Sequence, residues 1–161
     1  MPTAPAEFLA AAEEIARRLE SALADRLKAA ASRLAAHGET VDRMILGLQS
    51  AADPVELRRA EKRLGTLRKV AEPPREVTET IEALSRLKLV SEKAAARLES
   101  AKSERASTLG SLRRLHGAAR RLAGARGDVG ALADFEAACE VAVSLGDTAV
   151  AIDAETGAGE S

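Results

Sequence analysis

Five arginines in the run Leu112–Gly127, LRRLHGAARRLAGARG, form the densest set of chemically capable side chains in this sequence: Arg113, Arg114, Arg120, Arg121 and Arg126. Arg113 and Arg120 are seven residues apart, as are Arg114 and Arg121. On a helix all four fall in one broad exposed sector, with Arg126 beyond it. With Lys102 and Arg105 added, residues 102–126 carry seven basic groups against the single Glu104. Such a stripe could neutralise several phosphates in a salt-dependent way. No aromatic side chain lies within it to stack on a base, and no helix-turn-helix pattern sets side chains for base edges. Acids stand nearby in sequence. Asp134, Glu136 and Glu140 follow the turn signal Gly127-Asp128 and would face the arginines if the chain doubles back tightly. The sector therefore has three readings: a face paired within the molecule, a surface for a protein partner, or a nucleic-acid surface.

Other chemistry is sparse. His37 and His116 are far apart, with no His or Cys at ligand spacing beside either, so no metal is expected. Cys139 is the only cysteine, which excludes an internal disulfide and reads as a small buried hydrophobe. The carboxylates alternate with arginines on solvated faces, Glu13-Glu14 among them. No inward Glu-x-x-His pair of the di-iron bundles occurs. Gly124, Gly127 and Gly130 follow a helical pattern rather than a strand and precede no Lys-Ser/Thr, so they make no phosphate loop. No hydroxyl or thiol is placed beside a histidine as a nucleophile pair. The sequence predicts no enzyme, no cofactor and no small-molecule ligand.

The elements carrying these residues are helical. Hydrophobic residues make up 46% of the 161 and aromatics only 1%, Phe8 and Phe135, so the apolar content is largely Ala and Leu. Such side chains fill narrow seams between close helices better than a wide interior. Phe8, Ala12, Ile15, Leu19, Leu23, Leu27, Ala30 and Leu34 step by three or four, predicting a helix over about 5–37 closed by His37-Gly38. A second is expected over 40–51. Asp53-Pro54-Val55-Glu56 is a start signal for a third over 54–72, ended by Pro73-Pro74. The longest stripe runs from Val77 through Leu84, Leu87, Ser91, Ala94, Leu98, Ala101, Arg105, Thr108, Leu112, Leu115 and Ala119 to Leu122. It predicts a helix over 74–125, either continuous or broken near 107–110, because the seam is thin from Ala94 to Thr108, contains Arg105, and has Ser107 and Gly110 nearby. A last helix over 129–145 places Leu132, Phe135, Cys139, Ala142 and Val143 on one face, with Gly146 as its stop and 148–161 as a flexible acidic tail.

The fold expected is all-α: one helical domain over 1–147, an elongated antiparallel bundle or coiled-coil hairpin with a short disordered C-terminal tail. The net charge is −1, but residues 1–126 hold all 24 Lys and Arg with 17 acids, net +7, and 127–161 hold eight acids and no base. Acids within the apolar start argue against a secretory leader, and no apolar run is long enough to span a membrane. The cytoplasm is the expected location. Frequent Ala and Arg suggest a GC-rich bacterial source. From these features we expect a non-enzymatic interaction protein, an adaptor, scaffold or chaperone-like subunit, that meets a protein partner or a second copy through Leu/Ala seams. Leu84, Leu87, Leu98, Leu112 and Leu115 are the expected contacts. A nucleic-acid-associated protein using the basic helix 113–126 is the alternative from another class.

One stretch also resembles a known family. Leu115-His116-Gly117-Ala118-Ala119, then Leu122 and Gly124, looks like the Leu-Lys-Gly-Ser-Ala run of histidine-phosphotransfer domains, helical bundles of phosphorelays. Leu132, Ala133, Glu136 and the ending Leu145-Gly146-Asp147 continue the resemblance, which spans about 109–147. Arg113 occupies the place of the family's phosphorylated histidine, His116 that of its lysine, and the usual helix after Gly-Asp is missing. What the resemblance implies here is a degenerate module that docks a response regulator without a phosphoacceptor histidine.

Overall fold

The computed structural model describes residues 4–125 and 127–157, with side chains described as far as residue 145. Among them are five α-helices and no strand: α1 (Pro5–Ala16), α2 (Ser21–Ala51), α3 (Pro54–Leu67), α4 (Arg75–Gly124) and α5 (Val129–Gly157). The all-α expectation holds. No described helix is long and apolar enough to cross a membrane.

The helix expected over 5–37 is two helices. Nothing in Arg17-Arg18-Leu19-Glu20 is a breaker by type, so burial decides. In one straight helix Phe8 and Leu27 would lie roughly 29 Å apart at 1.5 Å per residue. Instead they line the same small internal void, together with Ile15, Leu112 and Leu115. The chain turns through two tightened bonds, Arg18 N–H to Ile15 O at 2.9 Å and Leu19 N–H to Ala16 O at 3.1 Å. It restarts where Ala24 N–H reaches Glu20 O at 2.8 Å.

The stop expected at His37-Gly38 is absent, and α2 passes through it to Ala51. Gly38 serves close approach instead. A Cβ built there would lie 3.1 Å from Pro5 Cγ and 3.6 Å from Thr108 Cγ2. Thr40, expected to open a new helix, returns its hydroxyl to Ala36 O at 3.1 Å within the continuing one.

The start at Asp53-Pro54 is as the sequence predicts, with Asp53 Oδ1 accepting from Val55 N–H at 2.8 Å. This helix ends at Leu67 rather than at 72. Glu72 takes a left-handed φ of 54° just before Pro73, where the proline ring disfavours the helical region for its predecessor. Val77 and Thr78 then donate to Pro74 O and α4 begins. It is continuous across 107–110. Arg105, a charged residue on the apolar stripe, pairs with Asp42 of α2, and the Thr108 hydroxyl donates to Glu104 O at 2.9 Å. The last helix, expected to stop at Gly146, continues to Gly157, so the tail expected from 148 is helical as far as that residue. A glycine inside a helix costs about 1 kcal/mol relative to Ala, a bias rather than a break. Residues 158–161 lie outside the described residues.

The chain forms two compact units, residues 1–42 with 104–161 and residues 43–103. In the first, α1, the N-terminal part of α2, the C-terminal part of α4 and α5 enclose one core. Phe8, Leu27, Leu34, Leu112, Leu115, Ala119, Phe135 and Ala142 are almost wholly buried in it. In the second, the end of α2 and all of α3 pack on the first part of α4. Glu61 meets Lys88 at 3.4 Å and Arg68 meets Ser85 at 3.5 Å, so α3 and α4 run antiparallel.

Candidate functional site

The turn between α4 and α5 sets the geometry around the arginines. Gly127 has φ 86°, a conformation that favours glycine, and reverses the chain. Asp128 then caps α5, its Oδ1 accepting from Gly130 N–H at 2.8 Å and Ala131 N–H at 3.3 Å. Returning beside α4, α5 buries Ala131, Phe135, Cys139 and Ala142 against Leu112, Leu115, Ala118, Ala119 and Leu122. The arginines are left outside.

The structure divides them. Arg113, Arg114 and Arg121 line a groove of about 490 Å³ between α4 and α5, whose small-residue floor includes Gly117, Ala118, Ala137 and Ala138. Asp134 and Val141 stand on the α5 side. Arg121 is held by Asp134 at 3.1 Å. Arg113 and Arg114 are exposed and form no ion pair among the described residues. Arg120 is exposed outside this groove and its charge bears on His116. Arg126 lies outside the described residues.

The acids expected to cover the basic face are also split. Asp134 does so, whereas Glu136 pairs with Arg26 of α2 at 3.3 Å. Glu140 lines a different groove of about 570 Å³, between α2 and α5, with Arg26, Arg33 and Cys139. Asp134 thus serves α4, whereas the i,i+4 pair Glu136 and Glu140 stands on the α2 side of α5. The intramolecular reading of the basic face is met at one arginine.

The two histidines have unlike surroundings. His116, beside Arg113 in the phosphotransfer resemblance, sits edge-on to Phe8 with ring centroids 6.1 Å apart. Its pKa lies below the ordinary histidine value because burial disfavours the charged ring and Arg120 repels it. Arg113, in the phosphoacceptor's place, is solvent-exposed on α4. His37 is 2% exposed. Its Nε2 lies 3.0 Å from Glu104 Oε1, a short approach without the alignment of a hydrogen bond, and Nδ1 has no partner among the described residues. His37, expected at a helix end, lies inside α2. Its place three residues after the buried Leu34 and four before the buried Val41 was the available signal.

Cys139 is buried as expected, and burial raises its thiol pKa, which disfavours the reactive thiolate. Among the described residues no three His, Cys, Asp or Glu side chains come together as a metal site.

The leucines expected to meet a partner separate as well. Leu112 and Leu115 are each 1% exposed and belong to the core of the first unit, so they are not surface contacts. In the second unit Leu84 and Leu98 are half-buried and Leu87 is 46% exposed. Comparison with protein-family models, with curated proteins and with solved structures gives no match.

Proposed function

We propose that the protein is a non-enzymatic helical interaction protein, an adaptor, scaffold or chaperone-like subunit of a bacterial cytoplasmic assembly, and that residues 43–103 receive a partner helix. One observation supports this reading: the apolar seam of this unit is incompletely covered. Its buried residues are Ile45, Ala60, Leu64, Ser91, Ala94 and Ala101, mostly small. Leu48, Leu57, Leu67, Ile81, Leu84 and Leu98 are only half-buried, while Leu46, Val55, Val70, Leu87, Leu89 and Val90 are exposed.

The cause is local. Helix α2 ends at Ala51, and the Asp53-Pro54 cap turns the chain into α3. From about Leu84 to Val90, the seam of α4 therefore has α3 on one flank and no α2 on the other. Leu87 follows the spacing Leu84, Leu87, Ser91, Ala94, Leu98, so it belongs to the seam by phase and lacks only a neighbour. A helix laid there would withdraw apolar surface at roughly 25 cal/mol per Å².

Charge favours a different protein over a second copy as the occupant. Residues 43–103 carry 13 basic groups and nine acids. A two-fold contact places the same cationic surface opposite itself, whereas a helix with acidic flanks meets Lys93 and Arg97, which make no ion pair among the described residues.

The test installs a photo-crosslinking amino acid at position 87 or 90 in the native host, with position 129, also exposed, as the control. The expected result is one heterologous adduct from 87 and 90, absent from 129, with the adduct from 90 abolished by Leu87→Glu. Adducts only between copies, or equal labelling from all three positions, would overturn the reading.

A further inference from the structure

We infer that the groove between α4 and α5 is a second docking surface, specific for an acidic, small-residue helix of a partner protein. The proposal rests on the chain being an interaction protein but uses a face of the other unit, so the two can fail separately. Three observations converge. Arg113 and Arg114 line the groove without an ion pair among the described residues, so two positive charges await a counter-charge. The floor includes Gly117, Ala118, Ala137 and Ala138, whose short side chains let a helix backbone come near the lower end of the usual 8–10 Å interaxial range. Val141, 42% exposed, offers an apolar contact on the α5 wall.

The opposite wall argues against a polyanion strand. Asp134 already holds Arg121 and would repel a continuous row of phosphates, and no aromatic side chain lines the groove for bases to stack on. A helix can instead present carboxylates to Arg113 and Arg114 and turn alanines toward the floor. In this arrangement the arginines choose the partner's charge and the floor chooses its girth.

The test measures fluorescence anisotropy of the full-length protein with a labelled helical peptide of glutamate and alanine. A lysine-and-alanine counterpart, a single-stranded DNA and a duplex DNA are run in parallel. Variants are Arg113→Glu with Arg114→Glu, Ala137→Trp, and Leu87→Glu as the control on the other unit; circular dichroism checks that each is folded. The acidic peptide is expected to bind at low salt and to weaken about tenfold in the double arginine variant. Ala137→Trp, which fills the floor without changing charge, should weaken it comparably, and Leu87→Glu should leave it unchanged. The lysine peptide should gain affinity for the double arginine variant. Absence of acidic-peptide binding, or indifference to Ala137→Trp, overturns the proposal. So does DNA binding stronger than the peptide's with the same arginine sensitivity, which identifies the occupant as nucleic acid.

Discussion

Gly38→Ala and Gly110→Ala make the same chemical change in two helix interiors of the same unit, and their difference measures how closely α1 approaches α2. At Gly110 an added Cβ meets nothing within 4 Å, so the substitution should deliver the ordinary helix gain of about 0.5–1 kcal/mol. At Gly38 the methyl would stand 3.1 Å from Pro5 Cγ and 3.6 Å from Thr108 Cγ2. Carbon contacts settle near 3.5–4.0 Å, so the proline ring must retreat by roughly half an ångström. Pro5 is a buried, rigid ring at the first position of α1, and it cannot swing aside as a long side chain would. Overpacking of this kind costs about 1–3 kcal/mol, which cancels or exceeds the helix gain. The two variants should differ by that overpacking cost, about 1–3 kcal/mol. At a urea slope of about 2 kcal/mol per M, that is a gap of roughly 0.5–1.5 M between midpoints, readable by circular dichroism. If Gly38→Ala raises the midpoint as far as Gly110→Ala, the close approach is wrong, and with it the account of why a glycine sits inside α2.

His37→Leu should leave the melting temperature unchanged or raised, because it removes a buried imidazole whose unpaired nitrogens cost about 1–3 kcal/mol, while Glu104 stays partly hydrated. His37→Ala should lose about 2 kcal/mol to the cavity, and equal losses in both variants would show that the contact with Glu104 stabilises the fold. His116 has its folded pKa below the ordinary value of 6.5. Between the two values the unfolded chain binds a proton that the folded chain does not. Stability therefore falls as pH drops from about 6.5 toward the folded pKa and is level above 6.5. Urea midpoints at pH 7.5 and 5 should show a smaller fall in His116→Gln than in the parent; an equal fall assigns the loss to other groups. Leu112→Ala should cost about 2–5 kcal/mol and Leu87→Ala under about 1, measured by denaturant unfolding, since the first is fully buried and the second half in water.

Much of the architecture was legible in the residues. Asp53-Pro54 and Gly127-Asp128 carry their turns in their own chemistry, and the structure uses both. Leu112, Leu115, Ala119 and Leu122 are buried as their spacing requires, as are Phe135, Cys139 and Ala142. The turn at 17–20 was not legible, because Ile15, Leu19, Leu23 and Leu27 keep one helical period across it. Periodicity reports which side is apolar, and a chain that turns back on itself can preserve that period. At His37-Gly38 the error ran the other way: residue types typical of a helix end were placed inside one by their contacts with Glu104 and Pro5. The arginines show a third limit. Spacing put Arg113, Arg114, Arg120 and Arg121 in one sector, but only the position of α5 separates those lining its groove from Arg120.

The same limit explains why Leu87 and Leu112 differ. Both lie on the α4 stripe, with similar spacing to their apolar neighbours, and local sequence treats them alike. Leu112 is enclosed because α1, α2 and α5 all bring side chains to that level of α4. Leu87 stands where α2 has already ended and α3 alone lies alongside. A helix codes for a face along its whole length, whereas the number of neighbours that reach the face is set by where other helices stop. In this chain Asp53-Pro54 sets that stop. Moving the cap toward the C-terminus by lengthening α2 would cover Leu87 from within, and by the same reasoning would remove the surface proposed for a partner.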